Sequence, residues 1–416
     1  MKQSIIEYIR TNWEKTINPK NENVPFPFNS PSMSFYTDFF YWDLYFINKG
    51  LLLTGLDEQA ENNIKNMAYF VNTLGYIPNS TTTYLRDRTQ PPVFPLAVYD
   101  LYLYRNDKKV IEDFIDAIIK EHDFFQTRRM TSIGLNAYMC DEKTNTIESI
   151  NNHYKYLSSR VQEYSDDKDT QFQIGKDIIA IAESGLDFNM RFKTPASKIA
   201  AHEFAHLDLN CWLYADELAI SKMLALVNRD REANHFLQLA KKRKELMDKY
   251  FLEKETGLYK DYNLKDGSHS QIITACNLYP YTFGISKDKK GCLEILKDLE
   301  MDNGISTGKY RGENEIYYQW DYPAMWGEVV FIAYLALKNV GLDKDAERIK
   351  KKYQSTVEKQ YQLTGCLWEK YDARDGTIFN AEYDAPPFMG WTAATYQVFA
   401  YIDNGTLESG TFKIVE

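Results

Sequence analysis

Along the chain, stretches that are apolar nearly all round alternate with stretches that are apolar on one side and charged on the other. Leu207 to Val227 and Trp326 to Leu337 are of the first kind; Arg231 to Tyr250 and Lys344 to Tyr361 are of the second. A helix apolar on every side is buried, and one with a polar face lies outside it. Between each such pair the chain turns within a few residues, and an aspartate opens the charged helix. Asp57, Asp107, Asp230 and Asp343 mark the clear cases, and Asp167 and Asp288 the weaker ones. Aspartate suits that place because its carboxylate accepts from free first-turn amides.

These aspartates stand about 50–60 residues apart, too long a step for a common solenoid repeat and enough for two helices plus a long loop. Six buried helices, each followed by an outer one, predict an all-α, single-domain (α/α)6 toroid over residues 1–416. An open α-solenoid is the second arrangement that fits. Further helices at Ser4 to Thr16 and Trp391 to Ile402 take the count above twelve, and the pattern does not say how a ring would close. No Gly/Ser-rich or Pro-rich linker marks a domain boundary.

In a toroid the long loops, from each outer helix to the next inner one, share one rim. Functional residues favour loops on a rigid scaffold. Those loops carry Tyr41, Trp42 and Asp43; Asn79; Arg88 and Gln90; Arg160; Asp187; Gln319, Trp320 and Asp321; Glu369; Glu382; and Trp391. Rings beside carboxylates, amides and guanidinium groups suit a polyhydroxylated ligand, whose hydroxyls need donors and acceptors and whose C–H face stacks on a ring. The tryptophans also fit as core residues at inner-helix starts, Asp43 and Asp321 as helix caps, and Arg88 and Arg160 as surface ion-pair partners.

Composition narrows the function. Aromatics reach 15%, with 31 Tyr, 23 Phe and 7 Trp, consistent with a bulky core or a ring-lined cleft. With 49 basic against 59 acidic residues the net charge is −10, which argues against a nucleic-acid partner. No apolar run approaches the ~18 residues that span a bilayer, and Met1 to Thr16 lacks a signal-peptide core. Five scattered cysteines (Cys140, Cys211, Cys276, Cys292, Cys366) fit a reduced, cytoplasmic protein.

Two segments carry a resemblance. Ile77 to Phe94 resembles the trehalase segment ending in Arg-Ser-Gln-Pro-Pro, and Gln319-Trp320-Asp321 with Pro323 and Trp326 is similar to the second trehalase signature. From about Tyr41 to Trp391 the chain resembles the trehalases, glycoside hydrolase family 37, and more loosely the α/α-toroid glucosidases of family 63. The resemblance implies an inverting α-glycosidase with Asp187 as general acid and Glu369, in Glu-Lys-Tyr-Asp, as general base. It places sugar contacts on Trp42, Asp43, Asn79, Arg88, Gln90, Arg160, Trp320, Asp321, Glu382 and Trp391, and no cofactor is needed. A carboxyl flanked by Leu186 and Phe188 is expected to be desolvated, which suits an acid.

The chain departs from the family at three places. Ser32 to Tyr36 stands where trehalases have Pro-Gly-Gly-Arg-Phe, Leu186 replaces a tryptophan, and Asp375 to Asn380 replaces a glycine-rich lid. These changes bear on the sugar taken. A small carbohydrate is the expected partner: trehalose first, then another short α-glucoside or α-mannoside such as a glycosylglycerate. A toroid that binds carbohydrate without catalysis is the alternative of another class. His202-Glu203-Phe204-Ala205-His206 matches the H-E-x-x-H zinc pattern, but no third ligand is apparent, so no metal is expected.

Overall fold

The computed structural model describes residues 2–141 and 143–407. They form fourteen α-helices and three two-stranded antiparallel pairs. The helices are α1 (Lys2–Trp13), α2 (Asp43–Thr54), α3 (Asp57–Leu74), α4 (Phe94–Arg105), α5 (Lys109–Arg128), α6 (Ile147–Val161) and α7 (Lys168–Glu183). They continue as α8 (Leu207–Leu226), α9 (Asp230–Tyr250), α10 (Tyr279–Thr282), α11 (Lys289–Leu299), α12 (Gly327–Asn339), α13 (Asp343–Thr364) and α14 (Gly390–Asp403).

Six of them form a closed inner ring: α2 packs on α4, α4 on α8, α8 on α10, α10 on α12, α12 on α14, and α14 back on α2. The apolar stretches account for this. Every residue of α12 from Gly327 to Leu337, and of α14 from Gly390 to Ala400, is buried. Helices α3, α5, α9, α11 and α13 each follow an inner helix and lie outside it. They keep one buried stripe and an otherwise polar surface, as Ala233, Phe236, Ala240, Arg243 and Met247 show on α9. The toroid follows the expected pattern, but its sixth outer helix is α1, which packs on α13 and α14.

The ring therefore closes between the two ends of the sequence. Trp13, at the end of α1, is the clasp. Its indole Nε1 donates to Gln397 Oε1 of α14 at 3.3 Å, and its ring lies where a Cβ on Gly50 of α2 would be, 2.2 Å from the Cζ2 atom. Only glycine at position 50 admits that approach without displacement.

One expected repeat unit is not a ring unit. Asp167 does cap a helix, accepting from Thr170 N–H at 2.8 Å, but that helix is α7. It pairs with α6 as an antiparallel hairpin, while α8 packs directly on α4 and α5. Ile174, Ile178, Ile181, Phe188, Phe192 and Tyr318 give the hairpin a small apolar cluster of its own. The pair is thus an elaboration of one rim loop, between α5 and α8.

Candidate active site

A cavity of about 490 Å³ opens on the rim that carries the long loops. Trp42, Trp320, Trp326 and Trp391 line it. Trp320 and Trp326 stack in parallel, with centroids 3.7 Å apart and planes 4° apart, and Trp391 meets them edge-on at 6.0 and 5.5 Å. Each of these rings is buried, so the core reading and the site reading of the tryptophans describe the same residues.

Two short strands fix one side. The strand Ala324–Trp326 pairs with Lys370–Asp372, matching Trp326 with Lys370. Glu369 directly precedes that strand. Its own carbonyl accepts from Trp391 Nε1 and Thr392 Oγ1, both at 3.2 Å. Its carboxylate accepts from the Tyr383 hydroxyl at 3.0 Å and the Lys370 ammonium at 2.5 Å. Glu369 is 1% exposed. Burial pushes its carboxyl above the ordinary value, and Lys370, Tyr383 and Tyr36 partly offset the rise.

Asp187 comes from the α6–α7 elaboration. After α7 the chain turns through Gly185 at φ +77°, where a Cβ would lie 2.9 Å from the Trp42 ring. The Asp187 carbonyl accepts from Gln319 Nε2 at 2.6 Å and Arg160 Nη2 at 2.9 Å. Its carboxylate lies 3.2 Å from Arg160 Nη1, with the side chain 36% exposed. The expected desolvation by Leu186 and Phe188 is therefore not seen. Both neighbours are buried in the core, while the carboxyl between them stands at the cavity edge beside a guanidinium.

Other expected residues converge on the cavity. Asp43, Asn79, Arg88, Gln90, Arg160 and Gln319 all line it. Gln90 Oε1 accepts from the Trp42 N–H at 3.0 Å. Arg88 is held by Asp87 at 2.7 Å and His153 at 2.9 Å, and its Nε has no partner among the described residues, as does Gln319 Oε1. Asp43 is the first residue of α2, and the N-cap position expected for it falls on Trp42. Burial pushes its carboxyl well above the ordinary value, and the nearby Glu369 and Asp187 add to this.

Three expected contacts do not line the cavity. Tyr41 is fully buried behind it, donating to Glu121 at 2.5 Å and accepting from the Val93 and Phe94 N–H groups at 3.0 Å each. Asp321 lies beneath the rim, accepting from Tyr318 N–H at 3.2 Å and Met190 N–H at 3.4 Å. It caps no helix, since the next inner helix starts at Gly327. Glu382 pairs with Arg160 Nε and so reaches the site through that residue.

The cavity also holds residues the sequence reading did not assign to the site: Phe35, Tyr36, Tyr84, His153 and Tyr383. Two had a signal. Tyr36 ends the segment Ser32 to Tyr36 that departs from the family, and Tyr383 follows Glu382.

The H-E-x-x-H segment is not one helix. His202 and Glu203 end a 3-10 turn, Phe204–Ala205 is a strand, and His206 follows it. His202 Nδ1 pairs with Asp177 at 2.6 Å, while buried His206 accepts from Tyr138 N–H at 3.0 Å. The two imidazoles thus lack the one-turn spacing a zinc pair needs. Among the described residues no three His, Cys, Asp or Glu side chains gather as a metal site, and no helix is long and apolar enough to cross a membrane.

Comparison with known proteins finds relatives over most of the chain. Human trehalase is 27% identical over 390 residues, covering 88% of this chain and 65% of the relative. The periplasmic trehalase of Salmonella typhimurium is 26% identical over 380 residues, covering 86% and 65%. The chain thus spans about two thirds of the length of these curated relatives. Among solved structures, the neutral trehalase of Saccharomyces cerevisiae superposes with a TM-score of 0.74 at 21% identity, covering 95% of this chain and 79% of that one. A GH63 mannosylglycerate hydrolase from Thermus thermophilus, in complex with Tris and D-glycerate, gives 0.66 at 14% identity, covering 94% and 99%. The trehalase family profile matches residues 6–402, nearly the whole described toroid and every residue that lines its cavity, and the chain belongs to that family.

Proposed function

We propose that residues 1–416 act as one glycosidase domain that hydrolyses α,α-trehalose to glucose with inversion at the attacked carbon. The observation that carries this reading is the placement of Asp187 and Glu369. Two carboxyls from separate rim loops line one tryptophan-floored cavity, one at its edge and one buried. Asp187 protonates the departing oxygen. Glu369 takes a proton from the water that attacks the opposite face of the sugar.

Arg88 and Gln319 line the cavity and place a guanidinium and an amide on its wall. Asp43, Asn79, Gln90 and Arg160 add polar contacts, and Trp42, Trp320 and Trp391 a stacking surface. Tyr41, Asp321 and Glu382 act from behind, by holding the loops and Arg160. No cofactor or metal enters the reaction. The five free cysteines suit a reducing, cytoplasmic setting; fractionation of the source cells with antibody against the chain tests that assignment.

The activity test is a hydrolysis screen over trehalose, other α-linked disaccharides and glycosylglycerates. Release of glucose from trehalose supports the reading. Turnover of a glycosylglycerate with trehalose untouched moves the assignment to that class, and tight binding of trehalose without turnover leaves a carbohydrate-binding toroid.

A further inference from the structure

Glu369 is held by groups that the mechanism above does not use. Its Oε1 accepts from the Tyr383 hydroxyl at 3.0 Å, and its Oε2 from Lys370 at 2.5 Å. Tyr36 lines the same cavity beside them and favours the charged form of the carboxylate. Two groups pack on the Tyr383 ring. Phe35 stacks on it with centroids 6.0 Å apart and planes at 14°, and the Lys370 ammonium lies 3.8 Å from its centroid.

The two tyrosines arrive from opposite ends of the chain. Tyr36 lies before α2 and Tyr383 before α14, the helices that close the ring. A buried carboxylate needs donors to remain ionised, and a base must present a lone pair to water in one direction. The surrounding charges define the balance. Lys370 and the tyrosines favour the ionised form, while Asp43 on α2 and Glu328 on α12 oppose it. Trp391 and Thr392 of α14 contribute only uncharged donors to the Glu369 carbonyl.

We propose that Tyr383, with Tyr36 behind it, is a positioning residue that orients the Glu369 carboxylate and keeps it ionised. The proposal rests on Glu369 being the base. Tyr383→Phe removes one hydroxyl and keeps the ring stacked on Phe35. Its kcat on trehalose is expected to fall roughly tenfold to a hundredfold, the effect of losing a hydrogen bond to a charged group. The acidic limb of its kcat/KM profile is expected to move to higher pH, because the carboxylate loses a donor that favours its charge. Tyr36→Phe is expected to move the same limb the same way, and it carries the test if Tyr383→Phe does not fold.

The two assignments are separated in a Glu369→Ala background, with azide as external nucleophile. If Tyr383 acts through Glu369, adding Tyr383→Phe leaves azide-supported turnover unchanged. An unmoved pH limb, or a full additive loss in that background, overturns the positioning role alone. Near-normal trehalose hydrolysis by Glu369→Ala without azide overturns the base assignment itself.

Discussion

Arg160 Nη1 stands 3.2 Å from Asp187 Oδ2, and the same guanidinium donates through Nη2 to the Asp187 carbonyl at 2.9 Å and pairs through Nε with Glu382. One planar group thus ties the carboxyl, its own backbone and a residue from the loop before α14. A lysine ammonium cannot make that three-way contact. Arg160→Lys is expected to lower kcat/KM on trehalose about tenfold to a hundredfold, the effect of losing charge-assisted hydrogen bonds. Steady-state kinetics, with circular dichroism to verify the fold, decides the matter, and a wild-type value would show that the site does not use this clamp.

Removing either proposed proton-transfer group leaves an amide of the same shape. Asp187→Asn and Glu369→Gln are each expected to lose ~10²–10⁴ in rate. The Asp187→Asn loss is expected to shrink with good leaving groups, which need little protonation. Proton NMR in the first minutes of turnover on trehalose is expected to show α- and β-glucose in equal amounts, since water attacks the face opposite the departing oxygen and makes the β-anomer, while the departing glucose keeps its α configuration. Initial α-glucose without β-glucose would mean retention and a nucleophile in place of a base.

Gly185 holds φ +77°, and a Cβ there would meet Trp42 at 2.9 Å. Gly185→Ala therefore combines backbone strain with a clash against the cavity wall, two residues from Asp187. A stability loss of about 1–3 kcal/mol is expected, together with reduced turnover. Denaturant titration of the two proteins measures the first effect, and equal midpoints would contradict it.

Away from the cavity, burial pushes Glu121 from its ordinary 4.5 up to about 8, although the Tyr41 hydroxyl opposes the rise. The folded protein therefore keeps a proton that the unfolded chain releases above 4.5. Stability is expected to fall as pH rises from about 4.5 to about 8. Burial also raises Asp216 and Glu328, so the fall has several contributors. Glu121→Gln removes one of them, and its melting temperature is expected to drop less than that of the wild type between these two pH values. An equal drop would show that Glu121 does not contribute.

The hairpin pattern of the toroid was legible because burial acts on sequence directly: apolar stretches such as Gly327 to Leu337 have no exposed face. Ring closure was not, because α1 carries no leading aspartate and reads like any amphipathic end helix. Asp167 misled for the converse reason. A cap specifies where a helix begins, not which layer it joins.

At the site, the order of rim motifs brought eleven of the expected residues to one cavity. Depth was not legible. Tyr41 and Trp42 are neighbours, yet one backs the wall and the other lines it. The surroundings of Asp187 depend on Arg160, 27 residues away in the chain, rather than on Leu186 and Phe188 beside it.

The clasp at Trp13 also orders events during synthesis. Helix α2 owes much of its cover to α14, which leaves the ribosome roughly 20–70 s later at 5–20 residues per second. Until then the nascent chain is an open arc. Ile47 lacks Gly390, on which it packs closely, and Trp42 waits for Trp391 to complete the cavity floor. The last helix of the ring thus both seals the sticky edge and completes the site, so a chain released before Gly390 would be at once prone to aggregate and inert.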